Sequence, residues 1–243
     1  MSRGFSPLAY TGFSTAFRPW MKRRISGISI SPPRSHILSD VPLMLVANHV
    51  SWWDGFLLIE LQRMLRPHAP FHTIMLESEL RRSPFLRRIG AIGVDPDSVP
   101  SVLSAMRELA RRTEERPDST IFFFPQGRIW PSYRRPLGFK RGIEVFCKAI
   151  GDVVVIPVGI HIEPLNHAAP SAFVYAGEPL GDSEAVSAGP VERLVEGELD
   201  RILQLLTQYG EDAGGVAANT DVTNSPRLAL PLQAHRQLHG STV

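Results

Sequence analysis

Short apolar runs alternate with longer amphipathic stretches along this chain, the pattern of strands buried on both faces with helices packed over them. Apolar runs at 43–47, 71–76, 89–94, 120–124 and 153–160 predict strands, and 173–177 predicts a last short one. Between them Phe56, Leu57, Leu58, Ile59, Leu61, Met64 and Leu65 recur at helical period, and Val102, Leu103, Met106, Leu109 and Ala110 share one face of a helix expected over 99–115. Asp97 or Ser98 suits the cap of that helix. A short helix is expected over 79–88, another opens at Phe139-Lys140-Arg141-Gly142 and runs to Ile150, and Val191, Leu194, Val195, Leu199, Ile202, Leu205 and Leu206 mark a closing one. Strand and helix in alternation predict one α/β domain, with a mixed, mostly parallel sheet flanked by helices.

Length adds little: 243 residues suffice for one sizeable core. Residues 31–210 are expected to be that domain, and 211–243, rich in Gly, Ala, Asn, Thr, Ser and Gln without period, a flexible tail. Residues 1–30 differ, with Phe5, Leu8, Phe13, Phe17, Trp20 and Met21 near helical spacing among Arg3, Arg18, Lys22, Arg23 and Arg24 and no acid. That composition suits a helix at a membrane interface, and equally an amphipathic helix packed on its own domain. No continuous apolar h-region is present and no apolar run nears the roughly 18 residues of a membrane span, so neither a signal peptide nor a spanning helix is expected.

Charge changes the picture more. Residues 1–163 carry 22 Lys/Arg against 14 Asp/Glu, and 164–243 carry 4 against 10. The basic residues are spread over several predicted elements with no reading helix, so nucleic acid is not an expected partner. Arg81, Arg82, Arg87 and Arg88 suit phosphate groups, although at least two of the four are expected to be a solvated face. The single Cys147 excludes an internal disulfide and a thiolate cluster, and the eight His are scattered, so no metal is expected.

The chemistry gathers after the first buried run, in Asn48-His49-Val50-Ser51-Trp52-Trp53-Asp54. A strand ending at Asn48 delivers His49 to the carboxyl edge of the sheet, where open α/β folds place their sites. With a helix starting near Ser51, Asp54 folds back onto one imidazole nitrogen, fixes the tautomer and leaves the other nitrogen to take a proton from a hydroxyl. Ser51 suits the helix N-cap, so the nucleophile is expected to be the substrate's own hydroxyl.

This motif resembles the HxxxxD box of the glycerolipid acyltransferase superfamily, whose bacterial lysophosphatidate acyltransferases carry NHxSxxD. Three more blocks follow in that family's order. Glu79-Leu80, Pro84-Phe85, Gly90 and Ile92-Gly93-Val94-Asp95 resemble the second; Phe124-Pro125-Gln126-Gly127-Arg128 resembles the third, usually FPEGTR, followed by an FKxG-like Gly138-Phe139-Lys140-Arg141-Gly142; and Val155-Ile156-Pro157-Val158 resembles the fourth. The chain departs from the family at three places: Pro96 where an Arg usually follows Asp95, Gln126 where the Glu stands, and Arg128-Ile129 for Thr-Arg.

The resemblance implies a glycerol-3-phosphate acyltransferase-like fold and acyl transfer from acyl-CoA or acyl carrier protein to a lipid hydroxyl, with no cofactor beyond that co-substrate. His49 would be the base and Asp54 its orienting partner, with Gln126, Gly127, Arg128 and Lys140 binding substrate and a backbone amide near Gly127 suiting the oxyanion. A turn glycine, a surface Arg and a helix-start Lys are the plain alternatives for Gly127, Arg128 and Lys140. A lysophospholipid acceptor at the cytoplasmic face of a membrane is the first expectation. Pro96 and Gln126 make a glycolipid or carotenoid glycoside a competitor, with Trp130 and Tyr133 available to line a sugar or acyl site. A phospholipid donor and a non-catalytic, lipid-binding membrane protein complete the alternatives.

Overall fold

The computed structural model describes residues 7–37, 40–180 and 186–214. Expectations placed on Arg3, Phe5, the Leu8 side chain and residues 215–243 lie outside the described residues. Seven strands form one sheet: β1 (Gly27–Ser31), β2 (Leu43–Ala47), β3 (Phe71–Leu76), β4 (Ala91–Val94), β5 (Thr120–Phe123), β6 (Val154–Glu163) and β7 (Ser171–Ala176), in the order β1-β7-β6-β2-β5-β3-β4. Only the β6–β7 pair is antiparallel; the other neighbours run parallel. The mixed, mostly parallel α/β sheet expected from the sequence is present.

Strand β2 lies at the centre, between β5 and β6, and its five residues are buried because helices cover both faces. Leu43, Leu45 and Ala47 meet Leu57, Leu58 and Leu61 of α2 (Asp54–Leu65) and Met21 of α1 (Pro7–Lys22). Met44 and Val46 meet Leu109 of α4 (Val99–Glu115), Ile143 and Phe146 of α5 (Gly142–Ile150), and Val195 and Leu199 of α6 (Ala188–Tyr209). At Gly159 a Cβ would come within 2.9 Å of the Leu199 amide nitrogen, so the missing side chain lets α6 lie directly on β6. Cys147 packs in this second core with Sγ 3.8 Å from Met44 Sδ, and burial pushes its thiol pKa up to about 12.

The structure differs from the expected elements in three places. The sheet begins at Gly27, inside the segment assigned to the N-terminal region, where β1 pairs with β7. The helix expected over 79–88 is two pieces, α3 (Glu77–Arg82) and a 3-10 turn (Pro84–Ile89), because Pro84 has no N–H and holds Ser83 out of the helical region. The last helix is followed by a 3-10 turn (Gly210–Asp212), and Ala213 beyond it is buried against Phe173 and Tyr175. No helix among the described residues is long and apolar enough to cross a membrane.

Helix α1 packs on the domain through its aromatics. Phe17 stacks on Phe56 at 3.8 Å between centroids, Trp20 lies 5.0 Å from Trp53, and Arg18 makes a forked ion pair with Glu60. An aromatic ledge remains outside, with Trp52 62% and Phe85 50% exposed. Of the four clustered arginines, Arg81 and Arg87 pair with Glu77 and Arg82 with Glu79, while Arg88 is exposed.

Candidate active site

Two loops meet at the carboxyl edge of the sheet, one leaving β2 and the other β5. Asn48 ends β2 by a side-chain imitation of a strand pair: its amide nitrogen donates to Ile160 O at 2.9 Å and its oxygen accepts from Ile160 N at 2.7 Å. The backbone is freed to turn while β6 runs on, and His49 emerges at the edge.

Asp54, the first residue of α2, is 0% exposed and accepts four hydrogen bonds. Oδ2 accepts from His49 Nδ1 at 2.7 Å, Val50 N at 2.6 Å and Ser51 N at 3.0 Å, and Oδ1 accepts from Ser51 Oγ at 2.6 Å. A carboxylate at a helix N-terminus also gains from the helix dipole. With Asp54 acting only as acceptor, His49 carries its proton on Nδ1, and Nε2 keeps a lone pair. The imidazole is 26% exposed and lies along Phe124, 4.7 Å between ring centroids, with no hydrogen bond to Nε2 among the described residues. Such a nitrogen can take a proton from a bound hydroxyl, and the buried carboxylate stabilises the resulting imidazolium. Ser51 is not the helix cap. Trp53 holds the N-cap position, and Ser51 Oγ instead accepts from Trp53 N at 3.0 Å while donating to Asp54.

The second loop braces the first. Gln126 is 3% exposed; its Oε1 accepts from His49 N at 2.6 Å and its Nε2 donates to Leu137 O at 3.0 Å. Both ends of the amide expected to bind substrate are used inside the protein. The residue type follows, since a carboxylate there would accept from His49 but set a second lone pair against the Leu137 carbonyl. Trp130 N–H donates to His49 O at 2.8 Å, so the histidine's backbone is gripped on both sides.

Gly127 has φ +66°, and a Cβ there would lie 3.5 Å from Lys140 Nζ. The position therefore needs glycine, and Lys140 stands over it. The Gly127 N–H is already committed to Phe124 O at 3.1 Å and is not free for an oxyanion. Arg128 is exposed and lies over the Trp130 ring, 4.1 Å from Cζ to the centroid.

Three groups here escape sequence reasoning. Ser132 Oγ bonds His161 Nδ1 at 2.6 Å, and His161 Nε2 bonds Glu163 Oε2 at 3.0 Å, which pins the loop to β6; burial depresses the His161 pKa despite Glu163. Glu192 accepts from Gly138 N and Phe139 N, and Arg135 donates to Asp200, which ties the loop's far end to α6. Arg134 stacks on Trp130 at 3.7 Å. Only the Ser-x-x-Arg and His-x-Glu spacings mark them, and neither is informative alone. Among the described residues no His, Cys, Asp or Glu side chains gather as a group that could hold a metal.

A family model described as Acyltransferase matches residues 26–161. The chain belongs to the acyltransferase family. Membership agrees with the glycerolipid acyltransferase superfamily to which the four ordered blocks point, and the match begins at the foot of β1 and ends at His161. The fold of this acyltransferase is similar to the crystal structure of the 1-acyl-sn-glycerophosphate (LPA) acyltransferase PlsC from Thermotoga maritima, with 22% identity, a TM-score of 0.51, and coverage of 80% of this chain and 77% of that one. No curated relative matches the acyltransferase significantly.

Proposed function

We propose that this acyltransferase moves a fatty acyl group from an acyl thioester, coenzyme A or acyl carrier protein, to the hydroxyl of a lysophospholipid. The observation that carries the mechanism is Asp54, buried under four donors with His49 Nδ1 among them and Nε2 left open. As the acceptor oxygen bonds to the thioester carbonyl carbon, its proton passes to His49 Nε2. Collapse of the tetrahedral intermediate breaks the carbon–sulfur bond, and the imidazolium returns the proton to the leaving thiolate. An ester and a free thiol result.

Reaction at a membrane surface is supported by the exposed Trp52 and Phe85, with Trp20 beside Trp52 and Lys22, Arg23 and Arg24 at the end of α1. Aromatics with basic neighbours suit the headgroup region of anionic lipid. Because the thioester donors are soluble, the face concerned is the cytoplasmic one.

One assay tests both parts: transfer from labelled acyl-CoA, or acyl carrier protein, to lysophospholipid in anionic vesicles. His49→Ala is expected to lose roughly 10²–10⁴-fold in kcat while remaining folded, and Trp52→Ser to lose vesicle binding. Full activity in folded His49→Ala removes the base from the mechanism, and unchanged vesicle binding by Trp52→Ser removes the ledge from the membrane face.

A further inference from the structure

Trp130 carries two guanidinium groups. Arg128 Cζ lies 4.1 Å and Arg134 Cζ 3.7 Å from the ring centroid, close enough for both cations to rest on the indole.

The cations themselves are uncompensated. Neither Arg128 nor Arg134 has an ion pair among the described residues, whereas nearby Arg135 pairs with Asp200 and Arg141 with Glu144. Arg134 Nη1 is buried with no hydrogen-bond partner among the described residues. A buried charged donor left unmade is costly, more so beside a second cation, and a bound anion relieves both terms. The place is right for one: Trp130 N–H holds His49 O, and Lys140 Nζ stands over Gly127 of the same loop. Gln126, where a carboxylate would have opposed an anion, is a neutral buried brace.

We infer that Arg134, acting with Arg128 beside Trp130, is an anion subsite for the phosphate monoester of a co-substrate, and that Arg134 sets the preference for a phosphorylated over a neutral molecule. The assignment rests on the acyl-transfer reading above. Arg134 lies outside the resembling blocks and does the work for which Pro96 and Ile129 carry no cation. The phosphate belongs either to the acceptor headgroup or to coenzyme A, and the kinetics separate these two sources.

The test compares wild type, Arg134→Met, Arg134→Lys and a control, Arg111→Gln on the exposed side of α4, with oleoyl-CoA as donor. Acceptors are 1-oleoyl-lysophosphatidate and 1-oleoylglycerol, which differ only by the phosphate. Met keeps the apolar stem over Trp130 and removes the charge. Arg134→Met is expected to raise one KM about 10- to 100-fold with kcat changed by less than about threefold, Lys to recover part of it as a point charge without the planar fork, and the control to match wild type. A shift in the lysophosphatidate KM assigns the phosphate to the acceptor, and a shift in the oleoyl-CoA KM assigns it to the donor. Unmoved KM values, or an equal loss with both acceptors at unchanged oleoyl-CoA KM, overturn the subsite. Should wild type transfer to neither acceptor from oleoyl-CoA or from oleoyl-acyl carrier protein, the acyl-transfer reading fails separately. Calorimetric binding of lysophosphatidate and of coenzyme A to His49→Ala, with and without Arg134→Met, then decides the subsite: weakening of either supports it, and equal or absent binding overturns it.

Discussion

The loops that leave β2 and β5 share one edge of the sheet and are held in opposite ways. The turn after β2 orders its side chains locally: those of His49, Ser51 and Asp54 hydrogen-bond with one another and with the Val50 amide within six residues, and remote groups hold only the backbone of His49. The loop after β5 borrows its anchors from β6 and α6, through Ser132 to His161, Arg135 to Asp200, and Gly138 and Phe139 to Glu192. A group that must hold a fixed geometry is built from short-range bonds with little entropy left to lose, while the loop beside it takes a shape set by remote parts of the fold.

The sharpest way to break this contrast is Asp54→Asn. Its amide offers one acceptor oxygen where the carboxylate satisfied four donors, so His49 loses both its tautomer and its aim. Acyl transfer is expected to fall by roughly 10²–10⁴-fold, with a circular-dichroism spectrum like that of wild type. A loss of less than tenfold would mean that the loop after β5, not the turn, orients the imidazole.

Next is Gln126→Glu, which restores the family's usual residue. The carboxylate keeps the bond from His49 N but faces the Leu137 carbonyl in a buried site, and thermal unfolding should report a loss of about 2–4 kcal/mol. Gln126→Ala, which leaves two backbone groups unpaired without adding charge, is expected to cost about 1–3 kcal/mol. Wild-type stability in both variants would show that the two loops are not braced through this amide.

The smallest effect separates scaffold from site. His72 on β3 is buried, and desolvation followed by the nearby Arg112 lowers its pKa to about 3. The unfolded chain protonates this residue near pH 6.5 and the folded chain does not, so the stability it confers is complete above about pH 6.5 and is lost at about 1.4 kcal/mol per pH unit as pH falls towards 3. His72→Asn should flatten that acid slope in denaturant titrations while leaving transfer at pH 7.5 within about twofold of wild type. An unchanged slope would place the acid sensitivity elsewhere.

Legibility in sequence follows the same division. The β2 run and the contact between His49 and Asp54, five residues apart, are readable because burial pattern and local spacing carry them. The ordered blocks carry the family. The role of Gln126 is not readable, because its partners lie 77 residues back and 11 ahead, and a buried brace has the same letter as a surface reader. Strand β1 is obscure for another reason: Gly-Ile-Ser-Ile-Ser is a faint apolar signal, and pairing with β7 makes it a strand. The meeting of Arg128 and Arg134 on Trp130 depends on a turn geometry that spacing does not specify.

The bond from Asn48 to Ile160 spans 112 residues, and this sets a clock on synthesis. His49 leaves the ribosome well before the loop that grips its backbone and the strand that terminates its own. Until β6 arrives, β2 has at most β5 as a neighbour, and a translating ribosome carries the chemistry's residues without the chemistry. A nascent chain halted before β6 would leave one edge of β2 open to solvent or to a chaperone, and the central sheet can close only once residue 163 has cleared the ribosome.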